Sequence, residues 1–175
     1  MKKRCEWAKD EPNTTYHDNE WGIPVHDDVI LFEFLILEGA QAGLSWSTIL
    51  NRRNGYRIAF SNFDVVAVSK YTQNHVKKLV QNKDIIRNKL KINSAINNAK
   101  QFIKIQKEFG SFDEYLWGFV NHKPIKNNFK KYSDLVCSSI ISEKLSQDLK
   151  KHGFTFVGPI ICYSLMQAVG MVNDH

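Results

Sequence analysis

The feature that most constrains this chain is a run that is apolar on nearly every side. Val29-Ile30-Leu31-Phe32-Glu33-Phe34-Leu35-Ile36-Leu37-Glu38 follows Asp27-Asp28, a pair able to cap a helix start. A helix with no solvated face must be enclosed by others, so the run predicts the central core helix. It is too short to span a bilayer and is interrupted by Glu33, which argues against a membrane segment. The remaining residues must supply its wrapping, and 175 residues correspond to one domain, 1–175.

Periodicity locates the wrapping elements. Ser45 is placed to cap a helix through Trp46, Ile49, Leu50 and Tyr56. Residues 64–70 have room for one or two helical turns, and Thr72 can cap a helix carrying Val76, Leu79 and Val80. After the polar break Gln81-Asn82-Lys83-Asp84, a helix is predicted from about Asn88 to Lys107, burying Ile92, Ala95, Ile96, Ala99, Phe102 and Ile103. Ser111 with Glu114 matches a capping box ahead of Tyr115, Leu116 and Phe119. Residues 121–134, with Lys123, Lys126, Lys130 and Lys131, read as a loop. Ser142 can cap a helix carrying Leu145 and Leu149, Gly153 stops it, and Pro159 opens a last helix through Leu165 and Met171. The first 26 residues, punctuated by Pro12, Gly22 and Pro24, show no period and read as irregular. No strand pair stands out, so the expected fold is all-α with seven or eight helices.

Composition narrows the class. With 43% hydrophobic and 24% charged residues, disorder and collagen-like repeats are excluded. Three cysteines, an odd number, argue against a disulfide framework and for a reducing compartment. Met1-Lys2-Lys3-Arg4 has no apolar run behind it and does not resemble a signal peptide, so a cytoplasmic location is expected. The net charge of +6 is unevenly placed: residues 1–64 hold 7 basic and 10 acidic side chains, the rest 17 and 8. A one-sided basic field suits a polyanionic partner, or simply a soluble lysine-rich surface.

Four groups of residues bear chemistry. Glu38 shares a helical stripe with Leu31, Leu35 and Ala42, so it is either a helix-end residue turned outward or a pocket carboxylate for recognition or acid–base work. Trp46 follows across Gly43-Leu44-Ser45, and a turn there returns its ring towards Glu38; a flat ring beside a carboxylate suits a nucleobase, although a Trp at a helix start is more often core packing. Cys5, His17 and His175 are zinc-type donors, but a closed structural site needs four, and unrelated Cys and His residues give the same pattern. Cys162 lies among apolar residues, and Cys137 has no evident partner. Residues 77–91 hold Lys77, Lys78, Lys83, Arg87, Lys89 and Lys91 against Asp84 alone, a net +5. Such a helical hairpin can hold a phosphate or can be a merely solvated face. The chain has no phosphate-cradling Gly-rich loop, H-E-x-x-H, G-x-S-x-G or C-x-x-C, so nucleotide hydrolysis and metalloprotease chemistry lack support.

Longer strings are more specific. Tyr16-His17-Asp18-Asn19-Glu20-Trp21-Gly22, Leu37-Glu38-Gly39-Ala40-Gln41-Ala42-Gly43-Leu44-Ser45-Trp46, Phe119-Val120-Asn121-His122-Lys123-Pro124, Phe154-Thr155-Phe156-Val157-Gly158-Pro159 and Asn173-Asp174-His175 resemble the bacterial 3-methyladenine DNA glycosylase I family over essentially the whole chain. The resemblance implies a helix-hairpin-helix glycosylase fold whose irregular N-terminal segment is tied to the C-terminus, with the hairpin at about residues 76–95. It implies a bacterial DNA-repair hydrolase that removes 3-methyladenine from alkylated duplex DNA as a monomer, with water as nucleophile and free 3-methyladenine as product. It implies Glu38, Tyr16 and Trp46 as catalytic residues, Trp21 lining the base pocket, and Lys83, Arg87 and Lys89 on DNA. It also implies a structural zinc on Cys5, His17, His175 and a further Cys. That Cys would lie beyond His175, and the expectation is a chain stopping short of it. Two departures stand out: Asn13-Thr14-Thr15 occupies the place of an additional pocket tyrosine, and Asp84 stands where relatives often have Gly. The rival readings are a non-catalytic base-binding module and a zinc-stapled DNA-binding protein whose surface around Glu38 and Trp46 is flat and filled.

Overall fold

The computed structural model describes residues 4–129 and 132–175. The lysines expected at 130 and 131, and the residues before Arg4, lie outside them. Nine α-helices are described: α1 (Asn13–Asn19), α2 (Asp28–Gln41), α3 (Trp46–Ala59), α4 (Val65–Ser69), α5 (Gln73–Leu79), α6 (Lys89–Phe109), α7 (Phe112–Gly118), α8 (Ile140–Lys151) and α9 (Pro159–Ala168). Among the described residues none of these helices is long and apolar enough to cross a membrane.

α2 is the axis of the fold. Its first turn is exposed at Val29 and Ile30, and every residue from Leu31 to Ala40 is buried, against α3, α6, α7 and α9. The two preceding acids divide the work at its start. Asp27 accepts from the amides of Val29 and Ile30, while Asp28 reaches across to the amides of Phe112 and Asp113 at 2.9 Å, joining the starts of α2 and α7.

Most helix starts follow their caps. Ser45, Thr72, Asn88 and Ser111 all stand at N-caps, and Pro159 is the first residue of α9. Three expectations need correction. The helix assigned to Ser142 begins earlier: Ser139 is the cap, and Ser142 completes a reciprocal box with it from inside α8. The N-terminal segment is not wholly irregular. α1 forms without a side-chain cap, behind Pro12, because it buries Tyr16 and His17 against the body of the protein. A strand pair also exists, although only two residues long: β1 (Ile125–Lys126) runs parallel to β2 (Val172–Asn173). Its companions are tertiary. The Gly22 amide donates to Ala168 O and the Val25 amide to Val169 O, and Gly170 (φ +77°) packs where a Cβ would lie 2.5 Å from Pro24 N. The last residues are thereby laid beside the first 25.

The segment between α5 and α6 is the predicted basic hairpin. It is pressed onto α3 at Gly55, where a Cβ would lie 2.3 Å from Asp84 O, and the Ile86 amide donates to Tyr56 Oη at 3.3 Å.

Candidate functional site

α2 carries Glu38 to one wall of a cleft of about 620 Å³. Tyr16 of α1, Trp46 at the start of α3, and Trp7, Trp21, Gln41 and Tyr163 also line it. The outward-facing alternative for Glu38 is therefore excluded; the residue is 5% exposed. The flat, filled surface required by a pocketless protein is excluded with it.

The polar groups of this cleft are under-used. No hydrogen bond to the Glu38 carboxyl is formed by any described residue, and burial pushes its pKa up from 4.5 to about 8. Tyr16 Oη and Trp46 Nε1 are buried without a partner among the described residues. Burial, and then the neighbouring Glu38, raise the Tyr16 hydroxyl well above its ordinary pKa, so it remains a neutral donor. One acceptor and two donors, all desolvated and unpaired, surround an aromatic cleft. Buried polar groups are ordinarily satisfied, so such a set marks a place where a ligand completes the bonding.

The Glu38 shift has a consequence for stability. Between pH 4.5 and about 8 the folded chain retains a proton that the unfolded chain has lost. The contribution is fully present below the lower value and disappears as the pH rises through the upper one. Glu38→Gln removes the titration while keeping the shape. Its melting temperature is expected to exceed wild type by about 10 °C at pH 8 and to approach it at about pH 5, by calorimetry.

An ion cluster fixes the elements that carry these side chains. Arg53 of α3 donates to Glu33 of α2 at 2.6 Å and to Glu20, the C-cap of α1, at 2.7 Å, while Arg57 also reaches Glu33. The Arg53 guanidinium lies 5.3 Å from the centre of the Phe34 ring. Arg53→Ala leaves the largely buried Glu33 with only the partly exposed Arg57. A loss of about 2–3 kcal/mol in urea unfolding is expected, since uncompensated buried charge is costly.

The three zinc-type donors do meet. Cys5 Sγ lies 3.2 Å from His175 Nε2, which lies 3.1 Å from His17 Nε2, and all three ligand atoms fall within 4.8 Å of one another. Asp18 Oδ1 is 3.1 Å from His17 Nδ1 and favours the tautomer that leaves Nε2 unprotonated. Tetrahedral zinc with bonds of about 2.0–2.3 Å places its ligand atoms roughly 3.3–3.6 Å apart, close to the two separations from His175 Nε2, so these donors fit three corners of such a site. The cluster adjoins the cleft, because Cys5 also lines it and Trp21 lies against His17 with ring centres 5.4 Å apart.

Of the expected DNA contacts, Lys83, Arg87 and Lys89 are exposed on or beside the hairpin. Asp84 is exposed too, its amide donating to Asn82 Oδ1 and its backbone against Gly55. Lys91 departs from the phosphate reading, since its ammonium is occupied by Ala40 O and Ala42 O. Trp7 was not foreseen. It lies 6.1 Å from Tyr16 and 5.4 Å from Trp21 between ring centres, giving the cleft an aromatic wall on the side where Asn13-Thr14-Thr15 offers none. Its signal was an isolated Trp two residues after Cys5. Leu135, Val136 and the exposed thiol of Cys137 form part of the cleft's other side.

Comparison with known proteins follows the same residues. The family profile described as methyladenine glycosylase matches residues 7–175. DNA-3-methyladenine glycosylase 1 of Escherichia coli (strain K12) is 45% identical over 174 residues, 99% of this chain and 93% of that protein. A crystal structure of a 3-methyladenine DNA glycosylase I superposes with a TM-score of 0.96 at 42% identity, covering 99% of this chain and 96% of the other. The Staphylococcus aureus 3-methyladenine DNA glycosylase I, whose structure addresses 3-methyladenine recognition, superposes with a TM-score of 0.93 at 36% identity, covering 95% and 89%.

Proposed function

The chain belongs to the methyladenine glycosylase family, and from that premise we propose that the cleft around Glu38 holds the damaged base while the hairpin between α5 and α6 holds the DNA. The protein is a DNA-3-methyladenine glycosylase, a hydrolase acting on alkylation damage. The observation that carries the site assignment is Glu38, a buried carboxyl with no donor among the described residues, facing the same cleft as Tyr16 Oη and Trp46 Nε1.

Methylation at N3 makes the nucleotide base cationic, and its glycosidic bond is already weak. A strong general acid is unnecessary; the site must select the cation and hold it as the bond breaks. The base, flipped from the duplex, stacks on Trp46, with Trp21 and Trp7 closing the aromatic walls. Glu38 accepts from the base's N–H groups. Burial alone favours its protonated form, and a cation beside it favours the carboxylate, so the charged lesion supplies the partner that the protein withholds. A neutral adenine offers no such compensation, which is the basis of selectivity. Tyr16, held neutral, donates or accepts at the base edge.

Among the described residues lining the cleft none is a lysine, which supports water as the nucleophile and a monofunctional reaction without a Schiff base. Lys83, Arg87 and Lys89 are assigned to the DNA phosphates, as in a helix-hairpin-helix element. Alanine at any of the three is expected to weaken binding to all duplexes alike and to reduce the salt slope by about one, measured by fluorescence anisotropy.

Cys5, His17 and His175 would hold a structural zinc, which supplies cross-linking of the two chain ends rather than chemistry at the base. Metal analysis of the purified protein is expected to find one zinc per chain, lost in His17→Ala.

The deciding experiment is chromatographic analysis of bases released from methylated DNA. Release of 3-methyladenine, with 7-methylguanine and 1-methyladenine retained, is the expected result. Base binding without release would instead favour a non-catalytic recognition module.

A further inference from the structure

Lys91 stands in the first turn of α6, beside the basic hairpin, yet its ammonium points inward. Nζ donates to Ala40 O at 2.8 Å and to Ala42 O at 2.6 Å, across some fifty residues of chain. Those carbonyls belong to the last turn of α2 and its C-cap, and that last turn carries no basic side chain of its own. Lys91 therefore supplies the cation that the helix end lacks and satisfies two of its orphan oxygens. Burial lowers its pKa, as expected for an ammonium withdrawn from water. With Leu35, Ile36, Gly39, Ser94 and Ala95, Lys91 lines one small cavity.

The position matters because of what flanks it. Glu38 is two residues before Ala40, and Trp46 is four residues after Ala42, across the turn at Gly43 (φ +78°). The bonds of Lys91 hold the end of α2 at the point where the chain leaves it for the turn into α3. On its own side, Asn88 caps α6 immediately after Arg87, and Lys89 precedes Lys91 by two residues. One side chain thus joins the segment that carries the hairpin cations to the segment that presents the carboxylate and the stacking ring.

We propose that Lys91 is a positioning residue for base excision, fixing the end of α2 and the 42–45 turn so that Glu38 and Trp46 meet the flipped base in register with the DNA-bound hairpin. It is not a phosphate contact. The proposal rests on the assignment of the cleft as the base pocket.

The test compares Lys91→Met, which keeps the stem and removes the donors, with Lys91→Arg, which keeps charge and donors. In Lys91→Met, single-turnover release of 3-methyladenine is expected to fall about 10²-fold, the cost of roughly 1 Å of misplacement. Affinity for free 3-methyladenine should fall with it. Affinity for undamaged duplex, and its salt slope, should match wild type. Lys91→Arg should recover most of the release rate. The proposal is overturned if Lys91→Met weakens undamaged-duplex binding and flattens the salt slope by about one, which marks a phosphate contact. It is overturned equally if only the melting temperature falls while release and base affinity persist. Should Lys91→Met fail to fold by circular dichroism, Lys91→Gln takes its place under the same criteria. Glu38→Gln in parallel separates the two readings: wild-type release there discards the base-pocket assignment, whereas its loss beside an unaffected Lys91→Met discards only the role of Lys91.

Discussion

Glu38→Ala is expected to lower the single-turnover rate of 3-methyladenine release by about 10²–10³-fold, the usual cost of removing a preorganised electrostatic partner from a dry site. Three features enlarge the effect. Glu38 is buried, so water replaces its charge poorly. It has no donor among the described residues, so its accepting capacity is free for the base. Trp46 Nε1 can only donate and the Tyr16 hydroxyl is neutral, so neither replaces a charged acceptor. Glu38→Gln keeps one acceptor oxygen but loses the charge, and an intermediate loss is expected. The wild-type kcat/KM should also rise with pH as the carboxyl of the free enzyme, near 8, ionises; that limb should be absent from Glu38→Gln. Release near the wild-type rate in Glu38→Ala would remove this residue from the mechanism.

The second large effect is expected at Gly55. A Cβ there meets Asp84 O at 2.3 Å, Asp84 Cβ at 2.6 Å and Asp84 C at 2.9 Å, and two of those atoms are backbone. Neither α3 nor the hairpin can yield by a side-chain rotation alone. Gly55→Ala should therefore displace the hairpin, break the Ile86 to Tyr56 hydrogen bond, and cost about 2–3 kcal/mol in unfolding. Because Lys83, Arg87 and Lys89 travel with the hairpin, duplex affinity should fall by about tenfold, whereas free 3-methyladenine, bound on α1–α3, should be retained. A variant with unchanged stability and duplex affinity would refute the account.

How far the sequence alone anticipated this arrangement depended on the range of the forces. Asp27, Ser45, Thr72 and Asn88 announced helix starts because capping is a matter of three or four residues. The unbroken burial of residues 31–40 was legible from the missing polar face, and Glu38 was visible as the exception within it. α1 escaped notice because its stability comes from Tyr16 and His17 packing on distant segments, and β1–β2 because two residue pairs have no period. Ser139 and Ser142 both satisfy a cap pattern, and only the path of the chain decides between them. Charge misled at Lys91: counting assigns a lysine to the nearest run, whereas its ammonium answers to carbonyls fifty residues away. The convergence of Cys5, His17 and His175 could be expected only from the family resemblance, since no local spacing joins positions 5 and 175.

The laying of the final residues beside the first 25 has a consequence for biosynthesis. Trp7, Tyr16 and Trp21 emerge from the ribosome early, Tyr163 and Asp174 much later, and all five line one cleft. A nascent chain extending to α7 already possesses Glu38 and Trp46 but only half of the enclosure. The complete cleft thus waits on the synthesis of residues 160–174, and a protease that trims β2 would undo the enclosure.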